Sequence, residues 1–477
     1  MPRKNKKKIV FVEPRGTDDN VFAKALGLPL MGPVYLATIL KKKGYDVKAI
    51  NENLLGRDVN SSDLHADILC VTILTLTANR GYEIARRFKL QNPMGKVIIG
   101  GIHATMMPEE AIKFADHVVM GEGEKVIVDL IEGKLTDKII QTGHVTLDDY
   151  PAPDFSVLEN SHKMPLTPFI TSRGCPFDCT FCSVTEMFGK KYRTVSINNT
   201  MKALKKMDPK KVFFYDDNFA AIKSRTYELV KRIKRSNLDF KWTAQVRTDV
   251  TNDPKLIEKM ADAGCYNVYV GFESINPKTL KSFNKAQGLR HIKQSIKVFH
   301  DNSIDIHGMF IFGSDDDDKN VFRQTSQFCN DYGIDSTQFA ILTPMPGTVV
   351  YKDFERTGRL VHKVWDYYDG LHAVFQPRKM TPLELQEGMV DAFQDFYSYT
   401  RAVNDAFNTF VEYNAHAIRS IYSQVTPPSF SSVKFKLMGT VIVRKWIKQN
   451  QDYINFLSSL DLKKIASQHL ANLQKTA

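Results

Sequence analysis

Cys175, Cys179 and Cys182 are spaced C-x-x-x-C-x-x-C within Ser172-Arg173-Gly174-Cys175-Pro176-Phe177-Asp178-Cys179-Thr180-Phe181-Cys182, just after an apolar run with strand character. Three thiolates can hold three irons of a cubane cluster and leave the fourth iron without a protein ligand. Structural zinc closes with four ligands, and an electron-transfer 4Fe–4S centre takes four cysteines. An iron with an open position can chelate a substrate or cofactor. A degraded zinc loop or three unrelated thiols are the alternatives. The other cysteines, Cys70, Cys265 and Cys329, show no pairing pattern, and reduced thiols in a cytosolic setting are the simpler expectation.

The loop must be positioned by what surrounds it. Strand candidates begin near Pro168, Lys211, Phe240, Asn267, Asp305 and Ser336, with helical patterns such as Ile222 to Ser236 and Leu289 to His300 between them. Six strand–helix units fit a partial (β/α) barrel, whose chemistry sits at the carboxyl ends of the strands. Polar residues fall at those ends: Asp216-Asp217-Asn218, Gln245 and Arg247, then Glu273 and Ser274. Ahead of the barrel, Lys8 to Glu13, Tyr45 to Ile50, Ile68 to Leu74, Val97 to Gly100 and Val118 to Met120 read as strands. Leu36 to Lys43 and Arg80 to Leu90 read as helices. Strands separated by single helices make a parallel, doubly wound sheet that binds ligands at its carboxyl ends.

Chain length and composition suit such an assembly. With 477 residues and 43% hydrophobic content, the chain can bury two or three cores. A Pro-containing stretch, Tyr150 to Asp154, reads as a linker. From Trp365 the pattern turns mostly helical, including Pro382 to Tyr397 and Arg401 to Tyr422. The expected division is 1–145, 146–364 and 365–477. Asp315 to Asp318 invites a metal reading, but a solvated loop after the fifth barrel strand is the simpler one. The basic start is followed by an apolar run too short for the core of a signal peptide, and no stretch approaches a membrane span.

The net charge is +12, and residues 401–477 supply half of it with ten Lys/Arg against four Asp/Glu. Within them, Val433 to Lys448 interleaves apolar and basic residues around Trp446. An amphipathic helix packed on the barrel is the plainer reading. The alternative is peripheral contact with an anionic membrane surface, at the inner face of the membrane. No RNA-binding motif accompanies the charge, so no nucleic-acid partner is expected.

The cysteine loop resembles that of the radical S-adenosylmethionine (SAM) enzymes. The resemblance implies that the amino and carboxylate groups of SAM bind the open iron and that an electron from the cluster yields a 5′-deoxyadenosyl radical. Phe181 would pack by the adenine. Trp242 to Arg247 and Val270 to Ser274 look like the family's SAM-binding segments, which implies that Arg247 pairs with the carboxylate of SAM and Glu273 with its ribose hydroxyls. Gln245 and Ser274 would complete the site, and Pro344 to Thr348 looks like a loop that closes over it.

A doubly wound domain ahead of such a barrel is similar to the cobalamin-binding subgroup. Gly100-Gly101-Ile102-His103, then Pro108-Glu109-Glu110, then Gly121-Glu122-Gly123-Glu124 carry that likeness, and Thr72 and Leu74 end the third strand where a hydroxyl would meet the nucleotide tail. Paired glycines after a strand allow close approach of a ligand to backbone. Cobalamin would then be held by Thr72, Leu74, Gly100, Gly101, His103, Gly121 and Glu122. The first strand runs into Glu13-Pro14-Arg15 and lacks the Asp-x-His-x-x-Gly motif that supplies a histidine to cobalt. Asp63-Leu64-His65 mimics it only in part, so a histidine ligand is not expected.

The C-terminal Trp365 to Asp369 and Pro377 to Tyr397 resemble the extension of a branch that includes hopanoid methylases. The expected whole is an α/β protein with a Rossmann-like cobalamin-type domain, a partial (β/α)6 radical SAM barrel and a mostly helical C-terminal region. The activity implied is methylation of an unactivated carbon of a small-molecule or lipid substrate by way of methylcobalamin, with an electron donor such as flavodoxin or ferredoxin. A radical SAM cyclase, oxidase or carbon–carbon coupling enzyme with a scaffold first domain is the main rival. A methylthiotransferase would need further cysteines in the first domain, where only Cys70 lies.

Overall fold

The computed structural model describes residues 7–17, 27–401, 403 and 430–460. Its first sheet contains β1 (Lys8–Glu13), β2 (Asp46–Asn51), β3 (Ile68–Thr72), β4 (Lys96–Gly100), β5 (His117–Met120) and β6 (Ile139–Gln141). All neighbours are parallel, in the order β2-β1-β3-β4-β5-β6. Strand β1 shows why its sequence is a continuous apolar run. Ile9 and Phe11 enter the core under helix Met31–Lys42, while Val10 and Val12 enter the opposite core under helix Ala78–Gln91. Both faces of a doubly wound sheet are covered, so alternation disappears. The order reverses between β1 and β3, which opens a crevice at their carboxyl ends.

Strand β7 (Thr167–Phe169) begins the second sheet, and the short antiparallel pair β8 (Ser172–Arg173) and β9 (Arg193–Thr194) flanks the cysteine loop. Strands β10 (Lys211–Phe214), β11 (Lys241–Val246), β12 (Cys265–Glu273), β13 (Asp305–Phe312) and β14 (Ser336–Ile341) continue it. The order β14-β13-β12-β11-β10-β7 follows the chain and remains open. Trp242, Phe214 and Phe219 pack outward with ring centroids 4.9–5.3 Å apart. Phe213 of β10 stacks on Tyr269 of β12 across the intervening β11 at 5.1 Å, and His307 of β13 is tilted against Tyr269 at 4.7 Å.

Helix Pro382–Phe396 starts with a capping box between Thr381 and Glu384 and lays Phe393 and Phe396 against Phe339 of β14. Helix Phe430–Gln449 packs on it through Trp446, 5.7 Å from Phe393, and Thr440, whose hydroxyl donates to the Tyr397 carbonyl at 2.7 Å. The expected helix from Arg401 to Tyr422 lies outside the described residues beyond Val403.

The packing does not divide where the sequence pattern suggested. Val157 and Leu158 are buried in the first domain's core, so that core continues beyond residue 145. Trp365, Tyr368 and Val374 are buried in its other core, and Trp365 Nε1 donates to Glu110 at 3.0 Å. The chain thus returns to the first domain after completing the barrel. Asp315–Asp318 is neither a metal cluster nor simply solvated. Asp317 is buried and accepts from Thr279, Gly313 and Ser314, while Asp315 pairs with Arg359 at 2.5 Å.

Candidate active site

The cysteine loop leaves β8 through Gly174, whose φ is +87°, and a Cβ there would lie 2.5 Å from the Lys191 carbonyl. Only glycine lets the chain turn this close to β9. Cys175, Cys179 and Cys182 are partly buried and unbridged, and the Cys182 N–H donates to the Cys179 carbonyl at 3.1 Å. The loop rests on segment 282–284, with the Thr180 N–H on the Phe283 carbonyl and the Asn284 side chain on the Asp178 carbonyl. Among the described residues, no three His, Cys, Asp or Glu side chains converge on one metal ion. A cubane cluster does not require that, because each thiolate takes its own iron; the donor set fits it.

Arg247 follows β11 and reaches this loop. Its guanidinium lies 3.6 Å from the Phe177 ring centroid, with Nη1 3.9 Å from Cys179 Sγ and Nη2 donating to the Lys285 carbonyl at 2.7 Å. Glu273 ends β12 with a φ of +62°, an uncommon conformation for a residue with a Cβ. Its Oε1 meets Lys285 Nζ at 2.5 Å, and its Oε2 has no hydrogen-bond partner among the described residues. The carboxylate folds back so closely that a Cβ on Gly271 would be 2.4 Å from Oε1. Arg247 and Glu273 are therefore not an ion pair with each other. Lys285, which sequence reasoning missed, bridges them by its backbone and its side chain. Phe181 packs edge-on against Phe283 at 5.0 Å. Ser274 Oγ accepts from the Asn276 N–H at 3.0 Å.

Facing this mouth is a cavity of about 390 Å³ at the carboxyl ends of β1, β3, β4 and β5. Thr72, Leu74, Gly100, Gly101, Gly121 and Glu122 all line it, and Gln245, Tyr215 and Asp217 reach it from the barrel. Burial and the adjacent Asp216 carboxylate push Asp217 up to about 6. Nothing lies within 4 Å of a Cβ built on Gly32, and only the Val119 carbonyl, at 3.8 Å, meets one on Gly100. Side chains there would occupy the cavity, so these glycines form a cradle for a bulky ligand. Gly101 and Gly121 have a different cause. A Cβ on Gly101 would strike the Ile73 carbonyl at 2.5 Å, and one on Gly121 the Thr142 hydroxyl at 2.9 Å. Their bareness serves chain packing, and for Gly101 that differs from the clearance expected of paired glycines, although both residues line the cavity.

His103 is a second correction. It is fully buried and absent from the cavity wall, with Nδ1 3.3 Å from the Thr75 hydroxyl and Nε2 3.3 Å from Glu110. Burial lowers its pKa despite the Glu110 carboxylate. No histidine lines the cavity among the described residues. His65 is exposed, and Asp63 is occupied by Arg57 at 2.7 Å. Glu13 instead accepts from the Leu30 N–H at 2.9 Å, and burial raises it to about 7. Gly347, in the loop expected to close over the site, abuts Met106 of the first domain, and a Cβ there would be 2.4 Å from its sulfur.

Glu122 lines the cavity, but its carboxylate is already taken. Arg193 grips it bidentately at 2.6 and 2.8 Å, the Val145 N–H donates at 2.6 Å, and Arg173 stands 3.5 Å away. Burial opposes its charge, yet the two guanidiniums hold the carboxyl below its usual range.

Residues 169–328 match the model of the radical SAM superfamily, and residues 26–131 that of the B12-binding domain. Bacteriochlorophyllide d C-12(1)-methyltransferase of Chlorobaculum tepidum is 30% identical over 411 residues, covering 83% of this chain and 88% of the relative. The chain belongs to the radical SAM superfamily. Its first domain is a cobalamin-binding one, and its cofactors are a 4Fe–4S cluster, SAM and cobalamin. Hopanoid C-2 methylase of Rhodopseudomonas palustris is 25% identical over 357 residues, covering 70% of this chain and 66% of the relative. Among solved structures, the cobalamin-dependent radical enzyme OxsB with aqua-cobalamin and SAM superposes with a TM-score of 0.65 at 13% identity, covering 99% of this chain and 84% of that one. TsrM from Kitasatospora setae, with cobalamin and cluster bound, gives 0.63 at 15% identity, covering 93% and 100%. These two superpositions establish the shared fold.

Proposed function

We propose that this protein is a cobalamin-dependent radical SAM methyltransferase that methylates an unactivated carbon of a small-molecule or lipid substrate. The observation that carries the reading is a glycine-cradled cavity at the switch of a B12-binding domain, opening onto the barrel mouth beside a three-cysteine loop. When bound, the cluster and SAM supply a carbon radical that removes a substrate hydrogen, and cobalamin supplies the methyl group. Cys175, Cys179 and Cys182 hold the cluster and leave one iron open. Arg247, held against Phe177 and the Lys285 carbonyl, takes the carboxylate of SAM. Glu273 offers its open Oε2 to the ribose hydroxyls, and Phe181, Gln245 and Ser274 complete that wall. Thr72, Leu74, Gly100 and the neighbouring backbone receive cobalamin.

The substrate reaches the barrel interior, where Phe213, Tyr269 and His307 form a run of stacked and tilted aromatic rings. A relative named for bacteriochlorophyllide and another named for hopanoids support a large, flat, largely apolar substrate. A cyclase reading draws on the anaerobic magnesium-protoporphyrin IX monomethyl ester cyclase of Cereibacter sphaeroides, 26% identical over 436 residues. Reducing the cluster needs a one-electron donor, for which flavodoxin or ferredoxin is suitable.

The outward face of helix Phe430–Gln449 exposes Leu437, Met438 and Val441 beside Arg444, Lys445 and Lys448, a pattern suited to peripheral contact with anionic lipid. Sedimentation with anionic vesicles tests that contact, and its absence at low salt refutes it. No helix of the described residues is long and apolar enough to cross a membrane.

The function is tested by anaerobic purification, cluster reconstitution and addition of hydroxocobalamin, followed by gel filtration and incubation with SAM and dithionite. Cobalamin eluting with the protein, and formation of both 5′-deoxyadenosine and S-adenosylhomocysteine, are expected. Deoxyadenosine without S-adenosylhomocysteine would favour the cyclase or coupling reading.

A further inference from the structure

Two buried carboxylates of the first domain and two buried arginines of the barrel form a neutral cluster between the two cofactor sites. Glu122, Glu124 and Arg173 are each under 9% exposed, and the Arg193 side chain is 9% exposed. Arg173 Nη2 meets Glu124 Oε1 at 2.6 Å, its Nη1 lies 3.5 Å from Glu122 Oε1, and Arg193 grips both oxygens of Glu122. Arg173 also stands over the Tyr35 ring at 5.6 Å.

The positions of these four residues matter more than their charges. Glu122 and Glu124 belong to the loop after β5 that walls the cavity. Arg173 ends β8, two residues before Cys175, and Arg193 begins β9, where the loop returns. Arg193 further donates to the Val145 and Phe188 carbonyls at 2.9 and 3.2 Å. It therefore ties the linker after β6 to the helix that follows the last cysteine. That helix, Val184–Phe188, presents Val184, Met187 and Phe188 to the same cavity. Both ends of the cluster loop are thus clamped to the wall of the cobalamin site.

We propose that Glu122 and Glu124 are positioning residues that couple the two sites, so that cobalamin binds more tightly once the cluster is in place, and the cluster is held more firmly when cobalamin is bound. A bidentate, buried Arg–carboxylate pair has a fixed geometry. A cavity wall set by its ligand sets the arginines, and the arginines set the ends of the loop. Linkage makes the effect reciprocal. The inference rests on the chain binding both cofactors, as the proposed function requires, but does not depend on methyl transfer.

Hydroxocobalamin is titrated into the full chain under anaerobic conditions, with the cluster reconstituted and with it removed by chelation. In the wild type the dissociation constant is expected to fall about fivefold or more on cluster loading, and chelator-driven loss of the cluster to slow when cobalamin is present. Glu122→Gln should bring the ratio of the two constants close to one. Arg193→Lys, which keeps the cation but not the fork, should lower the ratio partway, and serves if Glu122→Gln does not fold.

Glu52→Gln is the control for simple destabilisation. Glu52 is buried on Arg80 at 2.7 Å in the same domain but does not line the cavity, so this variant should lose stability and keep the ratio. Equal affinity in the two wild-type forms overturns the coupling alone, and absence of cobalamin binding in both overturns the proposed function with it. A ratio unchanged in Glu122→Gln or Arg193→Lys, or lost equally in Glu52→Gln, also overturns the coupling.

Discussion

Substituting alanine separately at Gly100 and Gly101 should give opposite results, although the two residues are adjacent and line one cavity. Gly101 has φ 99° and ψ 178°, a region populated almost only by glycine, which costs a residue with a Cβ about 1–3 kcal/mol. Its Cβ would also lie 2.5 Å from the Ile73 carbonyl and 2.9 Å from the Ile73 nitrogen. Those atoms are the backbone just beyond β3, and no rotamer change can move them. Overpacking of this kind adds about 1–3 kcal/mol. Gly101→Ala should therefore destabilise the apoprotein by about 2–6 kcal/mol before any ligand is added. At Gly100 the nearest atom to a Cβ is the Val119 carbonyl at 3.8 Å, an ordinary contact. Gly100→Ala should change stability by no more than about 0.5 kcal/mol, while its methyl intrudes on the cavity and weakens cobalamin binding. Urea midpoints of the apoprotein, followed by hydroxocobalamin titration of each folded variant, separate the two effects. A stable Gly101→Ala protein that has lost only cobalamin affinity would refute the packing argument and restore the view that Gly101 clears a path for the ligand.

Two further substitutions probe the barrel. Lys285→Met keeps the side-chain stem but leaves Glu273 buried without its cation. Removing one partner of a buried pair costs about 3–5 kcal/mol, and SAM affinity by equilibrium dialysis should fall with it, while Lys285→Arg recovers most of both. Wild-type SAM binding by Lys285→Met would show that the lysine does not orient Glu273. His307 is held by burial at about 4, against 6.5 unfolded, with Nδ1 2.8 Å from the Ser336 hydroxyl. Below pH 6.5 the unfolded chain takes up a proton that the folded chain does not, so stability is full above that value and falls as pH drops towards 4. The loss is at most about 1.4 kcal/mol per pH unit. His362, lowered to about 4 in the same window chiefly by burial, contributes its own share. His307→Gln should flatten the dependence of the urea midpoint between pH 6.5 and 4.5 by one histidine's worth, and an unchanged slope would contradict the assignment.

What could be read in the sequence follows the range of each interaction. The cysteine loop is a local pattern. The barrel strands are apolar runs ended by polar residues, and β7 and β10–β14 begin within two residues of their expected starts. Strand β6 has three residues, too few to show any periodicity, and is specified by its pairing with β5. The paired glycines of the first domain read as clearance for a ligand, a reason that suits Gly100 and not Gly101. Whether a missing Cβ serves a ligand or a neighbouring strand depends on Ile73 and Thr142, which adjacency in sequence does not reveal. His103 failed for the same reason, because its partner Trp365 (ring centroids 5.1 Å apart) lies 262 positions along the chain. Glu122 reads as a cofactor residue and does line the cavity, but its carboxylate is taken by Arg193. Arg193 is 71 residues away in a segment with no motif of its own. Arg173, two residues before the first cysteine, was the one available signal that the cluster loop carries a buried cation.

The geometry of the two cofactor sites explains why the first domain cannot be a detached carrier. The cavity is walled on one side by the ends of β3, β4 and β5, and on the other by Val184, Met187 and Phe188. That second wall begins two residues after Cys182, so whatever fills the cavity touches the chain that holds the cluster. Gln245 and Asp217 close the same space from the barrel, and Arg247, two residues after Gln245, reaches Cys179. The walls of the two cofactor sites thus share the segment from Cys182 to Phe188 and the strand end from Gln245 to Arg247. The return of the chain after the barrel strengthens the arrangement. Trp365 and Tyr368 are buried in the first domain's core, so the barrel's last connection is anchored on the domain it faces. Separating the two cofactor sites would require exposing those aromatic rings as well as breaking the Glu122–Arg193 pair, and the fold spends its burial on keeping the two mouths opposed.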